Sequence, residues 1–391
     1  MQVMFDTAHL SYLECSSCRK HYDIDTPQTF ASCCNKPLLA RYGLLTGFKK
    51  KQLKEGPDTM WRYFEMLPVL HKKNIVSLGE GMTVVLPLSN LRDKYELPGL
   101  FFKDESSNPT GSFKARGLSA AVSKAREYGI EKCIIPTAGN AGGALAAYCA
   151  SAGMQATVVM PRHTPDAFKN ECELYGARLI LVDGLISDCA KKVQQLKEGD
   201  LYFDMSTMKE PYRLEGKKTM GYEIAEYFNW ELPDVILYPT GGGTGLLGMW
   251  KAFQEMTELG WINCKFPRMI AVQAENCQPL LDTWKGLQPN CKNYKGKPSL
   301  ANGLAVPNPF AEDMILEVLK ESGGLPVAVS DTDMIKGVKE IAKHEGLMIA
   351  PEGGAIWKAL LNLLETGFIK REEKILLLNT GSGYKYMENI I

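Results

Sequence analysis

From about residue 84 onward, short apolar runs alternate with longer segments in which apolar positions recur every three or four residues, and glycine clusters lie at the junctions. A short apolar run bounded by turn residues is typical of a buried strand, whereas the longer period is typical of an amphipathic helix. This alternation predicts an α/β fold. Helices are expected in the intervals, among them Phe113–Tyr128 and Gly142–Ala152. We expect strands over the following ranges: Leu100–Lys103, Cys133–Pro136, Ala156–Met160, Arg178–Val182, Val235–Tyr238, Met269–Ala274, Val327–Ser330 and Ile375–Leu378.

The first 45 or so residues differ from this pattern. Cys15 and Cys18 are followed by Cys33 and Cys34 across a polar stretch that lacks helical periodicity. Such a segment predicts a small ribbon-like module, and paired cysteines are typical zinc ligands. Adjacent cysteines are an awkward pair for a tetrahedral ion, since zinc ribbons usually separate the two thiolates of each pair. We therefore expect a degenerate, metal-free ribbon, with these four cysteines as the ligand set if a metal does bind.

Composition narrows the range of partners. The 391 residues include 45 acidic and 45 basic side chains, and neither sign forms a long run. The chain therefore gives no electrostatic reason to expect nucleic acid or an anionic membrane as partner, and a small-molecule substrate is the better expectation. The amino terminus lacks a secretory signal pattern, and no apolar run is long enough to span a membrane. The odd number of cysteines, 11, does not resemble a secreted disulfide framework, so we expect a reducing, cytoplasmic location.

The densest chemical signal lies in Lys103–Gly117. A strand leads into the turn-forming residues 108–111, and Ser112 is positioned to cap the helix that follows. Lys114 would then project from the first helical turn. Most lysines are solvated surface residues. A lysine that forms an imine must be partly desolvated and accompanied by a cofactor site, so the rest of the chain must supply one.

Three glycine-rich turns could supply such a site. Residues 136–143 run from a strand into a helix, where backbone N–H groups can bind a carboxylate or phosphate. Residues 238–245 contain three successive glycines and a threonine, which allow the backbone to close around a phosphate. They lack the lysine of a Walker loop and the spacing of a dinucleotide fingerprint. In residues 376–383 the hydroxyl of Thr380 could bond a ring nitrogen. Each turn alone is also compatible with a tight connection that binds nothing.

Taken in order and at these separations, the four motifs resemble the tryptophan-synthase-β-like family of pyridoxal-phosphate enzymes, also called fold type II. The resemblance implies two open twisted sheets flanked by helices, beside the small ribbon. It implies that Lys114 holds pyridoxal phosphate as a Schiff base, that Asn140 contacts the 3-oxygen of the cofactor, and that Thr380 faces its pyridine nitrogen. The other implied contacts are with the cofactor phosphate, from Gly241, Gly242, Gly243 and Thr244, and with the substrate carboxylate, from Thr137, Ala138, Gly139 and Ala141.

Within that family, the chain is similar to the threonine synthases in two places. One is the cysteine-bearing segment at the amino terminus. The other, Pro211–Thr219, resembles a stretch whose arginine binds the phosphate of O-phosphohomoserine, which implies that role for Arg213, assisted by Lys217. A guanidinium is suited to bidentate phosphate recognition. The implied reaction converts O-phospho-L-homoserine and water to L-threonine and phosphate, with Lys114 as general base.

Two alternative functions stay open. Ala115, Ala138 and Glu210 depart from the threonine synthase pattern and favour an ammonia-lyase of the threonine or serine dehydratase type, which needs no phosphate site on its substrate. A non-catalytic sensor of pyridoxal phosphate or an amino acid is the second alternative, although such a protein has no need of Lys114. Without the motif match, Arg213 could equally be a surface residue paired with a carboxylate such as that of Glu210.

The resemblance also implies a homodimer and a division into domains. We expect a ribbon-like segment over residues 1–45, a large cofactor-binding domain over residues 46–125 and 220–391, and a small domain over residues 126–219.

Overall fold

The computed structural model describes residues 8–43, 49–53, 56–199 and 201–391. The described strands, in chain order, are β1 (Leu10–Cys15), β2 (His21–Tyr22), β3 (Leu38–Tyr42), β4 (Val85–Leu86), β5 (Leu100–Asp104), β6 (Lys132–Pro136), β7 (Gln155–Pro161), β8 (Arg178–Val182), β9 (Phe203–Asp204), β10 (Val235–Pro239), β11 (Arg268–Ala274), β12 (Leu325–Val329) and β13 (Ile375–Asn379).

The helices of the same residues are α1 (Lys50–Leu53), α2 (Ser89–Tyr95), α3 (Lys114–Glu127), α4 (Asn140–Ala152), α5 (Asp166–Leu174), α6 (Ile186–Gly199), α7 (Tyr212–Tyr227), α8 (Thr244–Glu258), α9 (Pro279–Trp284), α10 (Glu312–Glu321), α11 (Asp331–Glu345), α12 (Pro351–Glu365) and α13 (Met387–Ile390). Short 3₁₀ turns cover Met60–Met66, Lys72–Asn74, Glu105–Ser107, Pro109–Gly111 and Gly383–Tyr386.

The predicted alternation of strands and helices is confirmed, because each strand and both helices expected from the sequence are present. The largest shift is at β12, which begins at Leu325 because that residue pairs with Ile270 of β11. Ser330, predicted as its last residue, instead accepts a hydrogen bond from the N–H of Asp333 and caps α11. The two-residue strands β4 and β9 were not predicted, since a run that short has no periodicity.

The chain divides into two compact units, each discontinuous in sequence. The first comprises the described part of Met1–Met82 together with Asn108–Thr110 and Lys114–Met220. The second comprises the remaining segments: Thr83–Ser107, Gly111–Phe113 and Gly221–Ile391. This division differs from the predicted domains. The described part of residues 46–82 and residues 108–110 and 114–125, expected in the large domain, group with residues 126–219, and so does the described part of the segment 1–45. The chain passes between the units three times within the segment that leads to Lys114.

The second unit is built on a six-stranded sheet in the order β12-β11-β10-β13-β5-β4, in which all pairs are parallel except β4 with β5. Every residue of β10 and β13 is buried. Since the carboxyl ends of parallel strands meet at one edge, the turns that follow these neighbouring strands lie at the same edge of the sheet. The fold thus brings the glycine turn after β10 next to the turn that carries Thr380.

The first unit contains a parallel sheet in the order β8-β7-β6-β9 and an antiparallel ribbon in the order β2-β1-β3. Helices α4 and α6 pack against β6 and β7. The predicted fold class, α/β with two open sheets flanked by helices and a small ribbon, is confirmed. Among the described helices, none combines the length and the apolar character needed to cross a membrane.

Helices α3 and α7 of the first unit pack against each other through glycines. A Cβ atom added at Gly216 would lie 2.0 Å from the carbonyl oxygen of Arg116, and one added at Gly117 would lie 2.9 Å from that of Arg213. Neither contact is possible for a real side chain without a backbone shift. Arg116, fully buried, also donates from Nη1 to Oγ1 of Thr219 at 3.0 Å. The first turns of the two helices are therefore held side by side.

Substituting Gly216→Ala should disrupt this packing. The added methyl group meets backbone rather than a flexible side chain, so we expect the free energy of unfolding to fall by at least about 1–3 kcal/mol. Gly199→Ala is the matched control, since a Cβ at that helical position meets no atom within 4 Å. Its effect should stay within about 0.5 kcal/mol. Urea unfolding followed by circular dichroism measures both, and equal stability of the two variants would contradict the packing argument.

Candidate active site

Lys114 is the first residue of α3 and is partly buried. The preceding residues pair with the turn after β13: the N–H of Phe113 donates to the carbonyl oxygen of Thr380 at 3.1 Å, and Ser112 forms an antiparallel bridge with Gly381. The predicted helix cap at Ser112 is wrong, because its buried Oγ has no hydrogen-bond partner among the described residues. The backbone just before α3 is therefore held by pairing with a turn distant in sequence and not by a local cap.

The second motif forms the connection between β6 and α4. The N–H of Thr137 donates to the carbonyl oxygen of Val159 at 3.0 Å, and its Oγ1 accepts from the N–H of Gly139 at 3.2 Å. Ala138 follows Thr137 in this turn, Asn140 is the first residue of α4, and Ala141 is buried in its first turn. The predicted residues of this motif thus lie together at the amino-terminal end of one helix, where backbone N–H groups lack intrahelical acceptors.

The third motif connects β10 to α8 in the second unit. Gly243 has the left-handed φ of 76° that glycine adopts readily, and Thr244 begins α8. A Cβ at Gly241 would lie 2.2 Å from the carbonyl oxygen of Gly303, so that position requires glycine as well. Gly242, between them, is partly exposed. The turn therefore presents backbone atoms, without side chains, at the start of a long helix.

Sequence reasoning missed two polar side chains of this region. The hydroxyl of Tyr238 is buried and has no hydrogen-bond partner among the described residues. It lies against the first turn of α8, since a Cβ at Gly245 would be 2.0 Å from it. Nδ2 of Asn302, beside the Gly303 that packs on Gly241, is likewise buried without a described partner. The only signal in the sequence was the asparagine-glycine dipeptide at 302, which is indistinguishable from an ordinary turn.

The fourth motif places Thr380, 7% exposed, directly after β13. Asn379 before it donates from Nδ2 to the Asp104 carboxylate at 2.8 Å, which ties the ends of β13 and β5 together. The carbonyl oxygen of Gly381 accepts from the N–H of Ala350 at 3.1 Å. These bonds hold the backbone of the Thr380 turn on both sides, within one unit.

A cluster of basic side chains lies where α3 and α7 meet in the first unit. Arg213 and Lys217 are fully buried. Burial lowers the pKa of Lys217 well below its ordinary value, and the positive charges of Lys114 and Arg213 lower it further. Burial also lowers the pKa of Arg213 to about 10, although the carboxylates of Glu210 and Asp204 oppose the shift. The alternative that Arg213 is a surface residue is therefore excluded.

Two of the three guanidinium nitrogen atoms of Arg213 have no described hydrogen-bond acceptor. Nη1 donates to the carbonyl oxygen of Met205, whereas Nε and Nη2 are buried and have no hydrogen-bond partner among the described residues. A buried guanidinium without acceptors is costly, since each unmade hydrogen bond of a charged group forfeits its desolvation energy. Two parallel N–H donors on one guanidinium match the geometry of a phosphate or carboxylate. The cluster is thus built to receive an anion.

Glu210 caps α7. Its two carboxylate oxygens accept from the N–H groups of Tyr212 and Arg213, both at 2.8 Å. Burial raises the pKa of Glu210 to about 7, and these backbone bonds oppose the rise. Both carboxylate oxygens of Glu210 therefore accept hydrogen bonds from backbone N–H groups, at the end of α7 that carries Arg213.

A buried carboxylate that the sequence analysis did not single out ties the two helices of the motifs together. Glu80 is fully buried and accepts from Trp61 Nε1 at 2.9 Å, from Ser119 Oγ of α3 at 2.5 Å and from Tyr148 Oη of α4 at 2.6 Å. The N–H of Leu78 donates to it as well, at 2.9 Å. Through Glu80, the helices that begin at Lys114 and Asn140 share one acceptor. Nothing local in the sequence distinguishes this glutamate from a solvated one.

The four cysteines of the ribbon come together. Their sulfur atoms all lie within 4.8 Å of one another, although Cys33 and Cys34 are adjacent in sequence. Cys15 is buried, Cys34 is partly buried, and Cys18 and Cys33 are exposed. The sequence analysis expected adjacent cysteines to fit a tetrahedral ion poorly. In the structure, the sulfur atoms of Cys33 and Cys34 both lie close to those of Cys15 and Cys18.

Comparison with known proteins identifies the class. The family model of pyridoxal-phosphate dependent enzymes matches residues 76–381, so the chain belongs to that family. A threonine synthase from Methanocaldococcus jannaschii is 32% identical over 376 residues, covering 95% of this chain and 92% of that protein. One from Bacillus sp. is 32% identical over 326 residues, covering 83% of this chain and 89% of that protein. The chain is a threonine synthase-like lyase that depends on pyridoxal phosphate, which confirms the predicted cofactor and enzyme class.

Solved structures show the same fold. An L-serine ammonia-lyase from Rhizomucor miehei superimposes with a TM-score of 0.67 at 20% identity, covering 80% of this chain and 99% of that chain. Maize serine racemase gives a TM-score of 0.65 at 21% identity, covering 77% of this chain and 88% of that chain. At these identities the likeness concerns architecture and not the reaction.

The raised pKa of Glu210 predicts a pH-dependent stability. Between its ordinary value of 4.5 and about 7, the folded protein holds a proton that the unfolded chain releases. Stability from this group is therefore present below that window and lost as the pH rises through it. Relative to wild type, Glu210→Gln should gain up to about 3 kcal/mol between pH 4.5 and pH 7.5. Urea unfolding of both proteins across this range measures the difference, and a constant difference would contradict the prediction.

Proposed function

We propose that the chain converts O-phospho-L-homoserine and water to L-threonine and phosphate. The observation that carries the proposal is the buried cluster of Lys114, Arg213 and Lys217, in which two donor atoms of Arg213 have no described acceptor. An enzyme that eliminates only water from serine or threonine needs Lys114 but has no phosphate on its substrate for Arg213 and Lys217 to bind. A phosphorylated substrate would neutralise it and satisfy the guanidinium.

The departures from the threonine synthase pattern are compatible with this substrate. Glu210, where the pattern has asparagine, directs both oxygens to helix N–H groups, and its raised pKa reduces its negative charge near neutral pH. Ala138 lies in a turn whose backbone N–H groups can bind a carboxylate without a serine hydroxyl. Ala115 is buried within α3 and contributes packing only.

The residues present also fit the cofactor. We assign Lys114 as the residue that binds pyridoxal phosphate covalently, Asn140 as the partner of its 3-oxygen, and Thr380 as the partner of its ring nitrogen. The backbone of Gly241–Thr244 would hold the phosphate, and the buried hydroxyl of Tyr238, at the first turn of α8, is available as a further donor there. The substrate carboxylate would bind the turn formed by Thr137, Ala138, Gly139 and Ala141.

When bound, pyridoxal phosphate would supply an electron sink for the negative charge that develops at the α-carbon. The residues of the protein transfer protons and bind the charged groups of the substrate. Lys114, partly buried at the start of α3, would hold the cofactor and would accept the α-proton on its Nζ. Loss of phosphate from the γ-carbon also requires removal of a β-proton, and threonine then forms by protonation of the γ-carbon, addition of the water hydroxyl at the β-carbon and return of a proton to the α-carbon. Lys114 would carry these protons, the proton left by water would go to the departing phosphate, and Arg213 and Lys217 would bind that phosphate.

Substituting Lys114→Ala should abolish the visible absorbance of the covalently held cofactor while leaving the far-ultraviolet circular dichroism unchanged. The side chain is partly exposed at the start of a helix, where alanine is compatible with the backbone. Lys191→Ala, at an exposed lysine of α6, is the control and should keep the absorbance. Retention of the absorbance in Lys114→Ala would refute the assignment of the cofactor lysine.

The substrate is tested by presenting the reconstituted enzyme separately with O-phosphohomoserine, serine and threonine. We expect phosphate and threonine from the first and no 2-oxo acid from the others. Arg213→Lys, which keeps the charge but loses the fork, should lower kcat/KM for O-phosphohomoserine by about 10-fold to 100-fold, from the about 1.5–3 kcal/mol of a hydrogen bond to a charged group. Arg162→Lys, at an exposed arginine, should have no effect.

Each result of this assay separates the candidates. Ammonia and a 2-oxo acid from serine or threonine, without phosphate release, would make the chain an ammonia-lyase and refute the proposal. No product from any of the three would indicate another amino-acid substrate. The homodimer stays a prediction supported by the family resemblance alone, and the cytoplasmic location stays one supported by the cysteine content alone.

A further inference from the structure

The ribbon of the first unit contains two turns of the same construction. In the first, the N–H of Cys15 donates to the carbonyl oxygen of Lys20 at 2.9 Å, and the N–H of Arg19 donates to that of Cys15 at 3.1 Å. Arg19 has a left-handed φ of 64°. The chain thus folds back over four residues and projects the side chains of Cys15 and Cys18 toward a common point.

The second turn repeats these bonds sixteen positions later by residue number. The N–H of Ala31 donates to the carbonyl oxygen of Lys36 at 2.9 Å, and the N–H of Asn35 donates to that of Ala31 at 2.8 Å. Asn35 has a left-handed φ of 51°. Cys34 therefore corresponds to Cys18, whereas the position that corresponds to Cys15 holds Ala31.

Cys33 supplies the thiol that Ala31 lacks. Its sulfur lies 3.3 Å from that of Cys18, and all four sulfurs lie within 4.8 Å of one another. Four thiolates at 2.3 Å from a tetrahedral zinc ion would be separated by about 3.8 Å. The observed separations bracket that value, so a small inward movement of the side chains completes a tetrahedral site.

We infer that Cys15, Cys18, Cys33 and Cys34 bind a structural Zn²⁺ ion. Four thiolates without an open position are typical of a closed structural zinc site and unlike a catalytic one, which keeps a water ligand. The sulfurs are thiols in this structure, and the 3.3 Å between Cys18 and Cys33 is well beyond the about 2.05 Å of a disulfide. The ribbon is a small sheet of three short strands, so a metal ion would contribute directly to its folding.

The ribbon is also attached to the helix that carries Arg213. Tyr42, the last residue of β3, donates to Glu215 of α7 at 2.9 Å, and the Nζ atom of Lys218 lies 3.9 Å from the centre of the Tyr42 ring. Lys218 and Glu215 are fully buried and paired at 2.7 Å. Zinc in the ribbon would therefore act at a distance on the orientation of α7.

A second contact, through Tyr128, also connects the ribbon to α7. Tyr128 donates to the carbonyl oxygen of Ile24 in the ribbon at 2.7 Å and lies 2.6 Å, oxygen to oxygen, from Tyr212 at the start of α7. Loss of the metal should thus loosen the first turn of α7 as well as the ribbon. This consequence for substrate binding rests on the proposed function, whereas the metal site itself does not.

The full-length holoenzyme, purified from zinc-supplemented cells and passed through a chelating column, should contain one Zn²⁺ per chain by plasma mass spectrometry. Cys18→Ser and Cys33→Ser should each lower this content at least tenfold. Cys264→Ser, at an exposed cysteine of the second unit, should leave it at one. Iron in place of zinc, a Cys18–Cys33 disulfide in the intact protein, or wild-type protein without metal would overturn the inference.

Because the two turns correspond, a second substitution should restore the zinc binding that Cys33→Ser removes. Ala31 and Cys15 are both fully buried at matching positions, so Ala31→Cys combined with Cys33→Ser should restore one Zn²⁺ per chain. Failure of the double variant to bind zinc, where wild type does, would overturn the assignment of Cys33 as a substitute ligand.

If the cysteine variants do not fold, Co²⁺ added to metal-depleted wild-type protein keeps the test decisive. Tetrahedral thiolate coordination gives intense visible and near-ultraviolet bands, and their absence would refute the site.

In variants that do fold, we expect a lower melting temperature and a raised KM for the amino-acid substrate, with the absorbance of the covalently held cofactor unchanged. An unchanged melting temperature after zinc loss would contradict a structural role.

Discussion

Helices α3 and α7 approach each other at a distance that only glycine permits, and the chemistry of the first unit depends on that approach. Gly117 and Gly216 leave no room for a Cβ atom against the facing carbonyl oxygens. The short separation brings the first turns of the two helices side by side. Lys114 therefore lies near enough to Lys217 to affect its pKa. Larger residues at the two glycines would move the first turns of α3 and α7 apart, and with them Lys114 and Arg213.

Bringing cations together in a buried place is unfavourable, and the structure shows how it is tolerated. Burial and the neighbouring charges of Lys114 and Arg213 lower the pKa of Lys217 well below its ordinary value. Glu210 compensates partly while capping α7. Tyr42 of the ribbon contacts Glu215 and Lys218 of the same helix. A substrate phosphate would supply the missing charge, which links the stability of this region to its ligand.

Much of the architecture follows from local pattern. The strands and their flanking helices were predictable because a buried parallel strand is a continuous apolar run, and because glycine turns mark where each strand ends. The roles predicted for Lys114 and Arg213 likewise come from the motifs around them. Glu80 was not, since a glutamate that accepts four buried hydrogen bonds has the same local sequence as a solvated one. The cap expected at Ser112 failed because its backbone pairs with Gly381, far away in the chain.

The amino-acid sequence by itself determined the fold class, the cofactor and the enzyme class, because periodicity, turn chemistry and a specific lysine motif are all written within short segments. The tertiary structure alone decided three further matters. It buried Arg213 and left two of its donors without described acceptors. It directed the carboxylate of Glu210 to the helix backbone, and it brought adjacent Cys33 and Cys34 within reach of one point. Each depends on burial or on backbone pairing between segments distant in sequence, which no local pattern records.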